Sequence, residues 1–247
     1  INFNGKQITV RSEDPDDAGV VAATIIDGGG SSRCVKMDSG ETLDSIIEGF
    51  TLQNGFGQGS GVQVVGSSAT IRKNVITSCS GGFYGALHIT GAGASAVITD
   101  NTVTGNSASG AGGGIAALSG ATSVTITGNV ISGNSANSAG GIWLQEVTAT
   151  LENNLIYENT SVVNGGGGLF IWSDTVTLAN CTVADNTAAT DGGGLYLRSA
   201  TTVTLNNCIL WGNSAAGNGN QAYVKHSDCT LNVNYSDVQG AQSGIYS

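Results

Sequence analysis

The chain has 247 residues, with 18 Asp plus Glu against 8 Lys plus Arg and a formal net charge of −10. That balance excludes the basic footprint of a nucleic-acid binder and offers nothing to an anionic membrane surface. Glycine is abundant, at 39 residues against a single proline, and no apolar run comes near the ~18 residues needed to span a bilayer.

Residues 1–44 carry short apolar alternations, Ile8-Thr-Val10 and Ile25-Ile26, broken by polar and glycine-rich stretches. They read as one or more irregular first coils. The chain opens at Ile1 with neither an initiator Met nor a leader, so it is expected to be a processed or excised piece. From residue 45 to 240 the sequence is regular. Taking Asn129 as a marker, its counterparts are Phe50, Asn74, Asn101, Asn154, Cys181, Cys208 and Asn234, at gaps of 24 to 28 residues. A period in this range predicts a solenoid, in which each repeat stacks only on its neighbours. Residues 241–247 read as a truncated C-terminal tail.

Each repeat holds three short apolar alternations. The first is Val124-Thr-Ile126, repeated as Val176-Thr-Leu178 and Val203-Thr-Leu205. The second centres on Ile131, with Val103, Ile156, Val183 and Leu210 as counterparts. The third follows a glycine run: Ile142-Trp-Leu144, Leu169-Phe-Ile171 and Leu195-Tyr-Leu197. Period two marks half-buried strands. Three strands per ~25 residues, joined by Gly and Asn turns, describe one coil of a parallel β-helix. The fold class is therefore all-β: a right-handed, single-stranded parallel β-helix of about eight coils of 24–28 residues. Two columns of Asn, Asn74 to Asn154 and Asn106 to Asn213, suit amide ladders at its corners. Gly112-Gly-Gly114, Gly165 to Gly168 and Gly192-Gly-Gly194 suit corners where coils approach closely.

The repeats, of the form Ile-Ser-Gly-Asn-Ser-Ala…Gly-Gly-Ile, resemble right-handed parallel β-helix repeats of bacterial cell surfaces, in the broad pectate-lyase-like superfamily. The resemblance covers about Leu43 to Gly240. It implies a secreted or cell-surface protein, often a polysaccharide-active enzyme or an adhesin.

Stacking turns columns of residues into stripes. On the third strand the outward column reads Gln63, His88, Ala116, Trp143, Phe170, Tyr196, Tyr223, and the next adds Leu118, Gln145, Trp172, Arg198 and Lys225. Exposed aromatics stack on sugar rings, and Arg198 and Lys225 could hold an acidic sugar or sulfate. The ligand-binding candidates are thus Trp143, Phe170, Tyr196, Tyr223, Trp172, Arg198 and Lys225. A Thr column, Thr70, Thr125, Thr150, Thr177, Thr204 and Thr230, is what exposed strand positions favour by themselves.

For catalysis the weak candidates are Glu158 and Asp185, at equivalent turn positions one coil apart. A β-helical lyase would need several acidic metal ligands beside an Arg or Lys base, and no acidic cluster accompanies Arg198 and Lys225 in their columns, so the residues favour a non-catalytic protein. Five cysteines without CxxC spacing argue against a metal centre, and Cys181 and Cys208 read as a buried thiol stack. No cofactor is expected, although Ca²⁺ suits the acidity. The leading function is a non-catalytic extracellular β-helix that binds carbohydrate or serves as a structural or adhesive element of the cell surface. The alternatives are a polysaccharide lyase or glycoside hydrolase, and a subunit that self-associates head to tail into an extracellular filament.

Overall fold

The computed structural model describes residues 1–247, apart from the side chains of Ser173, Asp174 and Gln242. All strand pairings join equivalent strands of successive coils, and all are parallel. The second apolar alternation builds a nine-stranded sheet from Ile25–Asp27 to Asp237–Val238. The first and third alternations build two more stacks. Two long strands, Leu169–Ala179 and Leu195–Asn206, run through the corner from the third stack into the first, so both stacks belong to one 16-stranded sheet.

The solenoid is as expected, with one strand more per coil. Short segments such as Ser107–Ala111, Ser135–Ser138 and Thr160–Ser161 pair into a seven-stranded sheet between the second Asn column and the glycines. Their Ser and Ala side chains are too small and too mixed to leave an apolar alternation in the sequence.

Inward residues of all coils merge into one core. Ile126, Leu151, Leu178 and Leu205 line one wall, and Ile142, Leu169, Leu195 and Ala222 another, each fully buried. In-register pairing, Ile126 to Leu151 to Leu178 to Leu205, places like on like at each step of ~4.8 Å.

Both Asn columns form ladders inside the corners. Asn129 Oδ1 accepts from the backbone N–H of Asn101 (2.9 Å) and from its side-chain amide (3.0 Å). Its own Nδ2 donates to Ile98 O, Thr127 O and Asn154 Oδ1. The second ladder runs from the Cys79 N–H through Asn106, Asn134, Asn159, Asn186 and Asn213 to Gln221. Left-handed or sharply turned corner backbone leaves N–H and C=O groups without strand partners, and a buried amide satisfies them.

The marker column ends one residue type away from expectation. Asn234 pairs with Asn206, and the group below Cys208 is Ser236, whose Oγ accepts from the Cys208 N–H at 2.9 Å. Likewise Thr230 pairs with Thr202 rather than continuing the Thr204 column. The step into the last coil is 28 residues, Thr202 to Thr230, one more than the 27 of the step before it, Thr175 to Thr202, and two more than the 26 that Asn234 as marker requires.

Within the first coil, Ala18–Ala23 forms a short α-helix, with Asp17 capping the N–H groups of Gly19 and Val20. Residues 241–247 add a short 3₁₀ turn and the strand Ile245–Tyr246, which pairs with Ala222–Tyr223.

Candidate functional site

The third-strand column is in register as the spacing requires: His88, Ala116, Trp143, Phe170, Tyr196 and Tyr223, extended by Tyr246. The coil rise brings the rings to stacking distance. Trp143 and Phe170 stack at 4.3 Å between centroids, and Phe170 and Tyr196 at 4.4 Å. Tyr223 is tilted against Tyr196 at 5.1 Å and stacked on Tyr246 at 5.4 Å.

This corrects the picture of an exposed aromatic stripe. Trp143, Phe170 and Tyr196 are only 8%, 4% and 6% exposed. They form a second apolar cluster with Ala111, Ala116, Leu118 and Ala139, outside the solenoid core and walled by the adjoining glycine corner. Phe170 and Tyr196 have aromatic neighbours on both sides and offer a sugar ring no free face, whereas Trp143, stacked on Phe170 alone, lines a cleft. The column that remains reachable is the next one, where Trp172 and Arg198 are half-buried and Lys225 is exposed.

Two adjoining clefts run along the ladder. The first, of about 340 Å³, lies between Phe83 and Tyr84 on one side and Trp143 and Trp172 on the other. Asn137, Ser138, Gln145 and Asn164 supply its polar groups. Trp143 and Trp172 meet edge to face at 6.4 Å, and the Trp143 Nε1–H donates to Gln145 Oε1 at 3.3 Å. The second cleft, of about 280 Å³, shares Ser138, Trp143 and Asn164 with the first and adds Asp191, Tyr196, Arg198 and Lys225. The Arg198 guanidinium lies over Trp172 at 4.3 Å, and the Lys225 ammonium over Tyr196 at 5.7 Å. Such contacts hold a cation by the ring quadrupole and leave its N–H donors free for an anion. Among the described residues neither cation has a carboxylate within ion-pair range, whereas Lys36, Arg72 and Lys73 do. Asp191 Oδ1 accepts from the Asn218 N–H at 2.7 Å, and burial beside it raises the Tyr223 phenol above its usual range.

Phe83 and Tyr84 were invisible in the repeat pattern. They interrupt a segment that is Ser/Ala in the following coils, and Phe83 is 54% exposed. An aromatic pair inside Gly81-Gly-Phe-Tyr-Gly85 was the one available signal. Tyr84 in turn stacks on His88 at 4.9 Å. His88 is 4% exposed with neither ring nitrogen hydrogen-bonded, and burial, with Arg33 nearby, pushes its pKa down to about 4.

Glu158 and Asp185 lie at exposed corners after the second strands, at φ of 54° and 53°. Neither lines the two clefts. Asp185 sits against the Gly212 corner of the next coil.

Residues 113–247 match the family profile described as "Right handed beta helix region", and residues 25–178 match the one described as "Periplasmic copper-binding protein (NosD)". Neither curated proteins nor solved structures give a match. Copper would need nitrogen or sulfur donors that converge. Among the described residues no three His, Cys, Asp or Glu side chains do so. The soft donors present are two pairs of buried thiols, Cys34 with Cys79 and Cys181 with Cys208, all free. An open, exchangeable copper centre therefore does not fit these residues. No helix is long and apolar enough to cross a membrane. Each match takes in more than half of the chain and falls on the stack of coils: the chain belongs to the right-handed β-helix family, and its repeats are those that the NosD profile also describes.

Proposed function

We propose that this chain is an extracellular, non-catalytic β-helix that binds polysaccharide at the paired clefts beside its aromatic ladder, as an adhesive or structural element of a cell surface. The periplasmic placement in the description of the NosD family supports an exported chain. One observation carries the binding reading: Arg198 and Lys225, held over aromatic rings and without a carboxylate in ion-pair range among the described residues, line a cleft adjoining one walled by Phe83, Tyr84, Trp143 and Trp172. Aromatic walls with side-chain amides suit a sugar ring, and two cations suit a carboxylate or sulfate on the neighbouring residue of the polymer. Trp143, Phe170, Tyr196 and Tyr223 act here as the rigid back of the site, and Trp172, Arg198 and Lys225 as its contact surface.

Affinity electrophoresis in native gels cast with neutral, carboxylated or sulfated polysaccharides tests this. The wild-type chain should be retarded by at least one anionic polymer. Trp172→Ala with Arg198→Ala should run as if no polymer were present, with an unchanged far-ultraviolet circular dichroism spectrum. Equal mobility in every gel, or retardation that the double variant keeps, would refute the assignment.

A further inference from the structure

Two further rings stand outside the aromatic ladder, on the seven-stranded sheet. Phe56 and Phe83 are 47% and 54% exposed. Each lies on a glycine of the following coil. A Cβ on Gly110 would meet three adjacent ring carbons of Phe83 at 2.5, 2.6 and 2.6 Å, and one on Gly81 would run into the ring of Phe56. Near-equal distances to adjacent ring atoms put the glycine over the face of the ring and not at its edge. Glycine thus covers one face, and the exposure belongs to the other. Phe170 and Tyr196, by contrast, have rings on both sides.

A cation stands beside Phe56. Arg33 Nε donates to Gln58 O at 3.3 Å, and its Nη2 lies 3.8 Å from the place of a Cβ on Gly57. Among the described residues no carboxylate is within ion-pair range of Arg33, and Asp38, which feels its charge, is paired with Lys36. Phe56–Gly57 pairs with Ser80–Gly81, the start of the strand that ends in Phe83 and Tyr84, and both of these line the first cleft.

We propose that Phe56 and Arg33 form an outer subsite of the polysaccharide site, joined to the first cleft through Phe83, which takes an uncharged sugar ring next to an acidic one. The inference rests on the polysaccharide reading and deepens it. The open face of Phe56 receives the apolar face of the uncharged ring, and the guanidinium receives a carboxylate or sulfate through paired N–H donors. Arg198 is the corresponding cation at the far end. Its strand is five coil steps from that of Phe56, and its guanidinium leans one coil back over Trp172, so the two cations stand on the order of 20 Å apart along the axis. Between them the polar groups are the uncharged Asn137, Ser138 and Asn164. A polymer with acidic residues set among neutral ones matches this order, whereas one charged at every residue would face most of its charges to uncharged groups. Two subsites on one polymer raise affinity by effective concentration, and only for a chain long enough to reach both.

The test uses hyaluronan, whose sugars alternate between carboxylated and neutral, as size-fractionated disaccharide and decasaccharide. Binding is followed by tryptophan fluorescence, in which Trp143 and Trp172 report occupation of the first cleft. Phe56→Ala with Arg33→Gln should keep the wild-type circular dichroism spectrum. The wild-type chain should bind the decasaccharide on the order of 10-fold more tightly than this variant does, and the disaccharide, too short to bridge, should bind both alike. Equal decasaccharide affinity in wild type and variant would overturn the outer subsite and leave the clefts in place. A loss that the disaccharide shares would also overturn it, since the variant would then act on the first cleft itself. A wild-type chain that binds neither hyaluronan fraction, yet is retarded by another anionic polymer in the gels, would refute the alternating pattern alone, and one retarded by none would take the polysaccharide reading with it.

Discussion

Single residues in this chain carry unequal weight because the corners are dry. Asn129 illustrates it. Replacing it with Ala would strip a buried acceptor from the Asn101 N–H and a buried donor from Ile98 O, Thr127 O and Asn154 Oδ1. Each stranded group costs about 1–3 kcal/mol, so Asn129→Ala should lower stability by on the order of 3–6 kcal/mol in denaturant titrations. Asn129→Cys should cost clearly less, since the column already accepts thiols at Cys181 and Cys208. His88 makes a pH-dependent contribution of definite sign. Its folded pKa of about 4 is below the ordinary 6.5, so the folded chain keeps the ring neutral where the unfolded chain takes up a proton. The contribution is complete above pH 6.5, falls as the pH drops through the window to 4, and amounts to on the order of 3 kcal/mol. His88→Phe keeps the stack on Tyr84 and has nothing to protonate. Its stability curve should lack that fall, and a variant curve parallel to the wild type between pH 4 and 6.5 would show that His88 is not the titrating group.

At the scale of elements, the glycine corners are set by backbone rather than by turn flexibility alone. A Cβ on Gly140 would lie 2.3 Å from the Thr160 backbone nitrogen, and one on Gly193 would lie 2.6 Å from the Ser214 backbone. In both cases the obstacle is the fourth strand of the next coil. Gly140→Ala should therefore separate Thr160–Ser161 from Ser135–Ser138 and lower the melting temperature by several degrees, about 2 kcal/mol or more. If the variant melts with the wild type, the close approach is not required. The same strand shows where sequence reading ends. Ile126, Leu151 and Leu178 announce their strand because apolar and polar residues alternate, and Asn129 announces a ladder because it recurs. Ser135-Ala-Asn-Ser138 does neither, since small side chains pack equally well in a strand, a turn or a loop. The aromatic column was legible as a column, but not its burial. Whether Trp143 faces water depends on the neighbouring glycine corner and on Ala111 and Ala139, which the third-strand repeat does not contain. Phe83 and Tyr84 lay outside any repeat, so the wall they form was legible only in three dimensions.

The whole molecule is a one-dimensional stack, and its energetics follow from that. Apart from those at the ends of each stack, the strands pair with the equivalent strands of the coils before and after them, so stability is carried by nearest-neighbour interfaces. A defect should then spread by coils rather than unfold the chain at once. Leu151 is fully buried between Ile126 and Leu178 in the first-strand stack. Leu151→Ala leaves a cavity costing about 2–5 kcal/mol. Its effect on amide hydrogen exchange should be largest in the strands Ser123–Thr127 and Thr148–Glu152 and in the Val176–Leu178 segment. It should fade towards Ser68–Arg72, several coils away. The aromatic ladder adds a second, lateral interface from Trp143 to Tyr246, absent between Ile47 and Ile98, so the defect should decay more slowly towards the C-terminal coils than towards the N-terminal ones. Uniform loss of protection along all coils would mean that the solenoid opens as a single cooperative unit, and would exclude nearest-neighbour propagation.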